Sequence, residues 1–396
     1  MKKRIGICGI FILAVLIGLA GLNSPVWAAE KVRLGILCAL SGPAAPWGIP
    51  NSRGITLDAE TINKKGGFKV AGKTYELEVL VYDHKYVPAE SAKAANKAIF
   101  ADKCNFLAIQ GGAPTMAAAP LMKENNILSL NFAGGADTLI KKENPLLFIY
   151  NPSIELMYAS VFPFLKKKEN IKTLIIVNPN DTSGKSGTVA SKAAADREGL
   201  KVISEEFFER GTKDLTSLLT RIIAKKPDLI DTSFTDPTTS ALICKQAREL
   251  GFKGAVLLAW GPAPAQVKKI AGPHSEKAYM VVAGPLDPRT DSQKKIHKAF
   301  MDKWGEKEWD SNVWPQYGLA SSLVKGIEAA QSLDPNKIAA ALEKVTWDTP
   351  VGVLRFGGSK LFGAKRHLLY PITLYQFQQG EAVFLGTLDI KEGVMD

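Results

Sequence analysis

Residues with the vocabulary of catalysis and metal binding are scarce in this chain. Only four of its 396 residues are cysteines and four are histidines. Four cysteines are too few for a disulfide scaffold, and no two stand in a CxxC spacing. His84, His274, His297 and His367 each lack a second ligand at metal spacing. There is no GxSxG elbow and no GxGxxG. Gly184-Lys185-Ser186 looks like the end of a phosphate loop, but Pro179 stands where the loop needs its first glycine. Lysine and arginine nowhere form a block interleaved with aromatics, so a nucleic-acid partner is not expected. These absences argue against an enzyme and against any cofactor. After the first 28 residues no apolar run reaches membrane-spanning length.

What is present begins with a leader. Lys2, Lys3 and Arg4 precede an uncharged run from Ile5 to Leu22, and Val26-Trp27-Ala28 forms a small-x-small cleavage site. That order is the secretory signature, so residues 1–29 are expected to be removed and the protein to be periplasmic. The formal charge of +11 then loses three positive residues, giving 11 − 3 = +8. Apolar residues make up 46% and charged residues 22%, a globular balance for a chain of about two domains. Cys38 and Cys244 lie in apolar contexts and read as buried free thiols.

The mature chain alternates strand and helix. Strands are expected at 31–40, 75–82, 106–110 and 127–131, with helices at 52–64, 89–100 and 114–125 between them. The pattern restarts after Asn151-Pro152, with strands at 173–178, 202–208, 229–234, 255–259 and 279–282. Long helices at 293–304 and 314–331 follow, and then C-terminal strands. Such alternation indicates βαβ units and parallel sheets. Two runs of it indicate an α/β protein of two doubly wound lobes, whose ligands would sit beyond the carboxyl ends of the strands.

A set of ordered motifs gives this architecture a family. Val32-Arg33-Leu34-Gly35-Ile36-Leu37, Leu40-Ser41-Gly42-Pro43 and Trp47-Gly48 open the chain. Ala59-Glu60, Ile62-Asn63, Lys65-Gly66-Gly67, Leu80-Val81-Tyr82-Asp83 and the Ala94 to Ala98 stretch continue it. Lys245-Gln246-Ala247-Arg248-Glu249-Leu250-Gly251-Phe252 comes later. In order and spacing these resemble the type I periplasmic solute-binding proteins of ABC importers, the leucine/isoleucine/valine-binding group. The resemblance implies two parallel-sheet lobes joined by a hinge of three crossovers. Lobe one would take residues 30–150 plus 284–351, and lobe two 151–283 plus 352–396. It implies a monomer that captures a small solute and delivers it to a membrane permease.

The resemblance also supplies candidate site residues, and here the sequence departs from the amino-acid-binding pattern. The hydroxyls that hold a ligand carboxylate in those members fall near Gly112 and Gly135, where there are none. Main-chain N–H groups around Gly111, Gly112, Ala113, Thr115, Ala133 and Gly134 are the expected substitutes. The acidic partner of the α-ammonium falls at Trp260, with Asp236 the remaining acid nearby. Two pocket tyrosines fall at the smaller Ser183 and Thr235. Trp47 on lobe one faces Trp260, and His84 follows a strand end. The expected ligand is a small organic acid, an aromatic carboxylate held between indoles. The alternatives are a branched-chain or other amino acid, and a periplasmic sensor subunit on the same clamp.

Overall fold

Strand Glu30–Cys38 sets the first layer. Its side chains alternate, with Leu34, Ile36 and Cys38 in one buried cluster and Leu37 in another on the opposite face. A strand that is apolar on both faces must be covered on both, as helices cover a parallel sheet. Helices Ala45–Lys64 and Leu319–Ala330 cover one face, and helices Pro88–Asn96 and Gly112–Glu124 the other. The second layer repeats this. Ile175, Val177, Ile230 and Val256 point one way, and Leu174, Ile176, Leu229 and Leu257 the other.

The computed structural model describes residues 29–133, 144–152, 154–261 and 264–388. Most of the expected leader, with Gly134 and Gly135, lies outside the described residues. Among the described residues, nine strands form the first sheet. Their order is Thr346–Thr349, Gly352–Gly357, His367–Leu369, Leu147–Pro152, Leu128–Asn131, Phe106–Ile109, Glu30–Cys38, Lys73–Asp83 and Phe68–Val70. The second sheet has seven, ordered Glu381–Leu388, Ile372–Gln378, Ala278–Val282, Ala255–Leu257, Leu229–Asp231, Thr173–Pro179 and Lys201–Phe208. Both have parallel centres; the first sheet is antiparallel at both margins and the second at the Ile372–Gln378 and Glu381–Leu388 margin.

The chain passes between the sheets three times: after Pro152, after Val282 and between Leu369 and Ile372. The last crossing corrects the expected boundary at residue 351. Strands Gly352–Gly357 and His367–Leu369 pair within the first sheet, because Phe356 and Leu368 complete the core that contains Phe148 and Tyr150.

Two helices differ from expectation in ways that shape the site. The first begins at Ala45, seven residues before Ser52. Pro46 occupies its first turn, where a missing N–H leaves nothing unpaired. Gly48 lets that turn lie on the Ala39 carbonyl, since a Cβ there would come within 1.9 Å of the oxygen. The expected helix 314–331 is two, Val313–Gln316 and Leu319–Ala330, broken at Gly318 with φ +133°. Asp58 caps the restart. Its carboxylate accepts from the Gly318 N–H at 3.0 Å, the Ser321 N–H at 2.7 Å and the Ser321 hydroxyl at 2.6 Å. Burial pushes this carboxyl up to about 6 against the pull of those donors.

Cys38, Cys104 and Cys244 are buried free thiols. Burial pushes Cys38 up to about 12 and Cys244 to about 11, so neither is a ready nucleophile. No helix of the described residues is long and apolar enough to cross a membrane.

Replacing Asp58 by alanine strands three donors at once. The Asp58→Ala protein is expected to lose about 3 kcal/mol of stability, read as a lower urea midpoint, and Asp58→Asn to lose less.

Candidate functional site

Past the carboxyl ends of the parallel strands, loops from both sheets converge on one cavity. Tyr86 follows strand Lys73–Asp83, Gln110 and Gly111 follow Phe106–Ile109, and Phe132 follows Leu128–Asn131. Ser233 and Phe234 follow Leu229–Asp231, and Trp260 follows Ala255–Leu257. Trp47 and Asn51 come from the first helix, and Asn312, Pro315 and Gln316 from around the short helix Val313–Gln316. Asn151 and Met157 complete the lining. The cavity encloses about 720 Å³ of empty space, part of it open to solvent. Among the described lining residues there are five aromatic rings and five side-chain amides, and none is acidic or basic.

His84 underlies this wall. It is 0% exposed. Its Nδ1 accepts the Tyr86 N–H at 3.0 Å, so Nε2 carries the proton and donates to the Gln110 carbonyl at 3.0 Å. Lys85 and Tyr86 both hold left-handed backbone, φ 54° and 60°, which side chains with a Cβ adopt at a cost. The Asp83 carboxylate accepts the Lys85 N–H at 2.8 Å, so the strained pair is held from both sides. Burial pushes the imidazole down to about 4. His84 is therefore a neutral strut behind Tyr86 and Gln110. Both ring nitrogens are engaged with the main chain, so neither is left to donate to a ligand carboxylate.

The lobes touch around the cavity. The Trp47 Nε1–H donates to the Trp260 carbonyl at 2.6 Å. The Ala113 N–H donates to the Ser183 hydroxyl at 3.0 Å, and Thr238 Oγ1–H to the Pro43 carbonyl at 3.3 Å. The Asn312 amide donates to the Gly261 carbonyl. The Arg210 guanidinium lies 4.7 Å from the Tyr86 ring centre. Arg210 is also paired with Asp181 at 2.8 Å and Asp236 at 3.7 Å.

These contacts sort the candidate residues. Trp47, Trp260 and Gly111 line the cavity. Trp47 meets Tyr86 at 6.2 Å and 44°, and Trp260 packs against the cores of both lobes. The anion site expected from main-chain donors is not free at Ala113, which bonds Ser183, nor at Thr115, which bonds the Gly111 carbonyl. Gly112 starts the helix behind Gly111, and Ala133 is buried in the core. Ser183 and Thr235 are buried and do not line the cavity. Asp236 is not a cavity acid either: it caps helix Pro237–Glu249 through the Thr239 N–H and faces Arg210. Burial raises its carboxyl.

Sequence reasoning missed Asn51, Tyr86, Gln110, Phe132, Phe234, Asn312 and Gln316. For Gln110 and Phe132 a signal existed, since Gln110 ends one expected strand and Phe132 directly follows another. Asn51 was hidden by the late helix start and Gln316 by the unexpected break.

The geometry is that of a two-lobed clamp, and comparison with known proteins agrees. The model of the periplasmic binding protein family matches residues 31–382. This chain belongs to that family. More narrowly, it is a type I periplasmic binding protein of the leucine/isoleucine/valine-binding group. A Pseudomonas aeruginosa leucine-, isoleucine-, valine-, threonine- and alanine-binding protein is 24% identical over 341 residues, covering 85% of this chain and 89% of that one. An R. palustris ABC transporter solute-binding protein solved with benzoate superposes with a TM-score of 0.74 at 18% identity, over 90% of this chain and 96% of that one. Another R. palustris solute-binding protein, solved with 4-hydroxybenzoate, gives 0.75 at 21% identity, over 91% and 98%. The family is periplasmic and binds small molecules for ABC transporters.

Two outcomes are expected. In Gly111→Ala the new Cβ would meet the Tyr86 ring at 2.5 Å on backbone with φ +86°, so the variant should melt several degrees lower. His84 is neutral when folded and binds a proton more readily when unfolded, at an ordinary pKa near 6.5. Its contribution is full above pH 6.5 and is lost as pH falls towards 4, by on the order of 2–3 kcal/mol. Denaturant titrations at pH 7.5 and 4.5 should show this loss in the wild type and a smaller one in His84→Gln.

Proposed function

We propose that this protein is the periplasmic receptor of an ABC importer for a small planar organic acid, an aromatic carboxylate. It closes on the solute and presents it to the membrane permease without transforming it. The observation that carries the reading is the cavity's lining: aromatic walls with side-chain amides and no acidic side chain among the described residues. The described lining holds no counter-charge of either sign, so an α-amino acid would bury an ammonium and a carboxylate there and an aromatic acid only a carboxylate, each unpaired charge costing several kcal/mol. A flat apolar body against Trp47, Tyr86 and Trp260 gains burial plus about 0.5–1.5 kcal/mol for each well-placed ring pair. The two R. palustris neighbours solved with benzoate and 4-hydroxybenzoate share the fold and support the same reading.

The relative named for leucine, isoleucine, valine, threonine and alanine favours an amino acid instead. A thermal-shift panel separates the two. Benzoate and 4-hydroxybenzoate are expected to raise the melting temperature, and leucine and valine to leave it unchanged. Stabilisation by leucine alone would overturn the proposal. In Trp260→Ala the affinity for the stabilising acid should fall at least about tenfold, as measured by calorimetry.

A further inference from the structure

Gln110 is held in the cavity wall by main-chain and side-chain bonds together. Its main-chain N–H donates to the Leu37 carbonyl at 2.8 Å, and its carbonyl accepts from His84. Its side-chain Oε1 accepts the Ala39 N–H at 2.7 Å, which settles which end of the amide is which. The other end, Nε2, is buried in a residue 3% exposed and has no hydrogen-bond partner. Gln110 lines the cavity. A buried donor without a partner is costly, and a native structure keeps one where something else completes it.

Asn51 and Gln316 behave differently. The oxygens of both lack partners, and no side-chain bond fixes which end of either amide faces the cavity. Both can turn to suit a donor or an acceptor. Gln110 cannot, because turning it would set its NH2 against the Ala39 N–H.

We infer that Gln110 is the residue that selects the ligand's head group: its fixed Nε2–H donates to an sp² oxygen, carboxylate or carboxamide, and rejects a head group that only donates. This rests on the aromatic-acid reading for the body of the ligand and goes beyond it by naming the contact that chooses the polar end. His84 is a positioning residue for that contact, since it holds the Gln110 carbonyl and the Tyr86 N–H in one plane of support.

The test is calorimetric titration of the full mature protein and two variants with benzoate, benzamide, benzylammonium and leucine. Gln110→Glu keeps an oxygen for the Ala39 N–H but turns the donor into an anion. It is expected to weaken benzoate about a hundredfold or more and to gain measurable benzylammonium binding. Gln110→Met removes the donor without adding charge and is expected to weaken benzoate and benzamide about tenfold. Circular dichroism and melting curves establish that each variant is folded; if Gln110→Glu is not, Gln110→Met decides. Benzoate binding by the folded variants within about twofold of wild type would overturn the donor role and leave the aromatic-acid reading standing. A wild type that binds leucine and neither benzoate nor benzamide overturns the aromatic-acid reading. The leucine carboxylate then tests Gln110 with the same variants, and unchanged affinity in both overturns its role. Binding of no oxygen-bearing probe by the wild type overturns both.

Discussion

The neutral imidazole of His84 is the interaction on which the binding wall depends. It sits without solvent contact between two groups from different loops, accepting from Tyr86 and donating to Gln110. Only the uncharged ring can do both, and burial keeps it uncharged. That arrangement ties an aromatic wall to a polar one. It also holds Tyr86 in a backbone conformation the chain would otherwise leave, with Asp83 bracing the preceding residue.

From that wall the clamp follows. Tyr86 belongs to the first lobe, and its ring lies against Arg210 from the second. Arg210 is held through its Nε by Asp181 at 2.8 Å and faces Asp236 at 3.7 Å, so the charges of the cleft stand against one another beside the cavity. Beyond them, contact between the lobes is made by neutral hydrogen bonds, Trp47 to Trp260 and Ala113 to Ser183. Neutral contacts are individually worth about 0.5–1.5 kcal/mol, a scale on which a solute's own contacts can compete in a hinge equilibrium.

A cavity lined with rings and amides discriminates differently from one lined with ions. Rings accept any flat apolar body, and amides that can turn accept either polarity of partner. Selectivity then falls to whatever cannot turn. Comparison within the family has the same character: a relative at 24% identity is named for amino acids, and fold neighbours near 20% are solved some with aromatic acids and one with isoleucine. One scaffold serves both because the strands that build it are separate from the loops that choose.

Much of the fold was readable in the chain itself. Apolar runs such as Leu34 to Cys38 and Leu174 to Val177, separated by amphipathic stretches, admit little but parallel sheets covered on both faces. Trp47 and Trp260 were readable as cavity residues because Trp47 stands in an opening motif of the resembled family and Trp260 falls where that family places a ligand contact after a strand. What the chain could not tell was decided by distant partners. The helix start at Ala45 depends on Gly48 meeting the Ala39 carbonyl, and the break at Gly318 on capping by Asp58, 260 residues away. The membership of residues 352–369 was set by core packing that no local pattern encodes. The roles of His84, Ser183 and Asp236 went elsewhere for the same reason. A polar side chain in a sequence has many possible partners, and only the folded arrangement satisfies some of these groups and leaves others, the Gln110 Nε2 among them, without any.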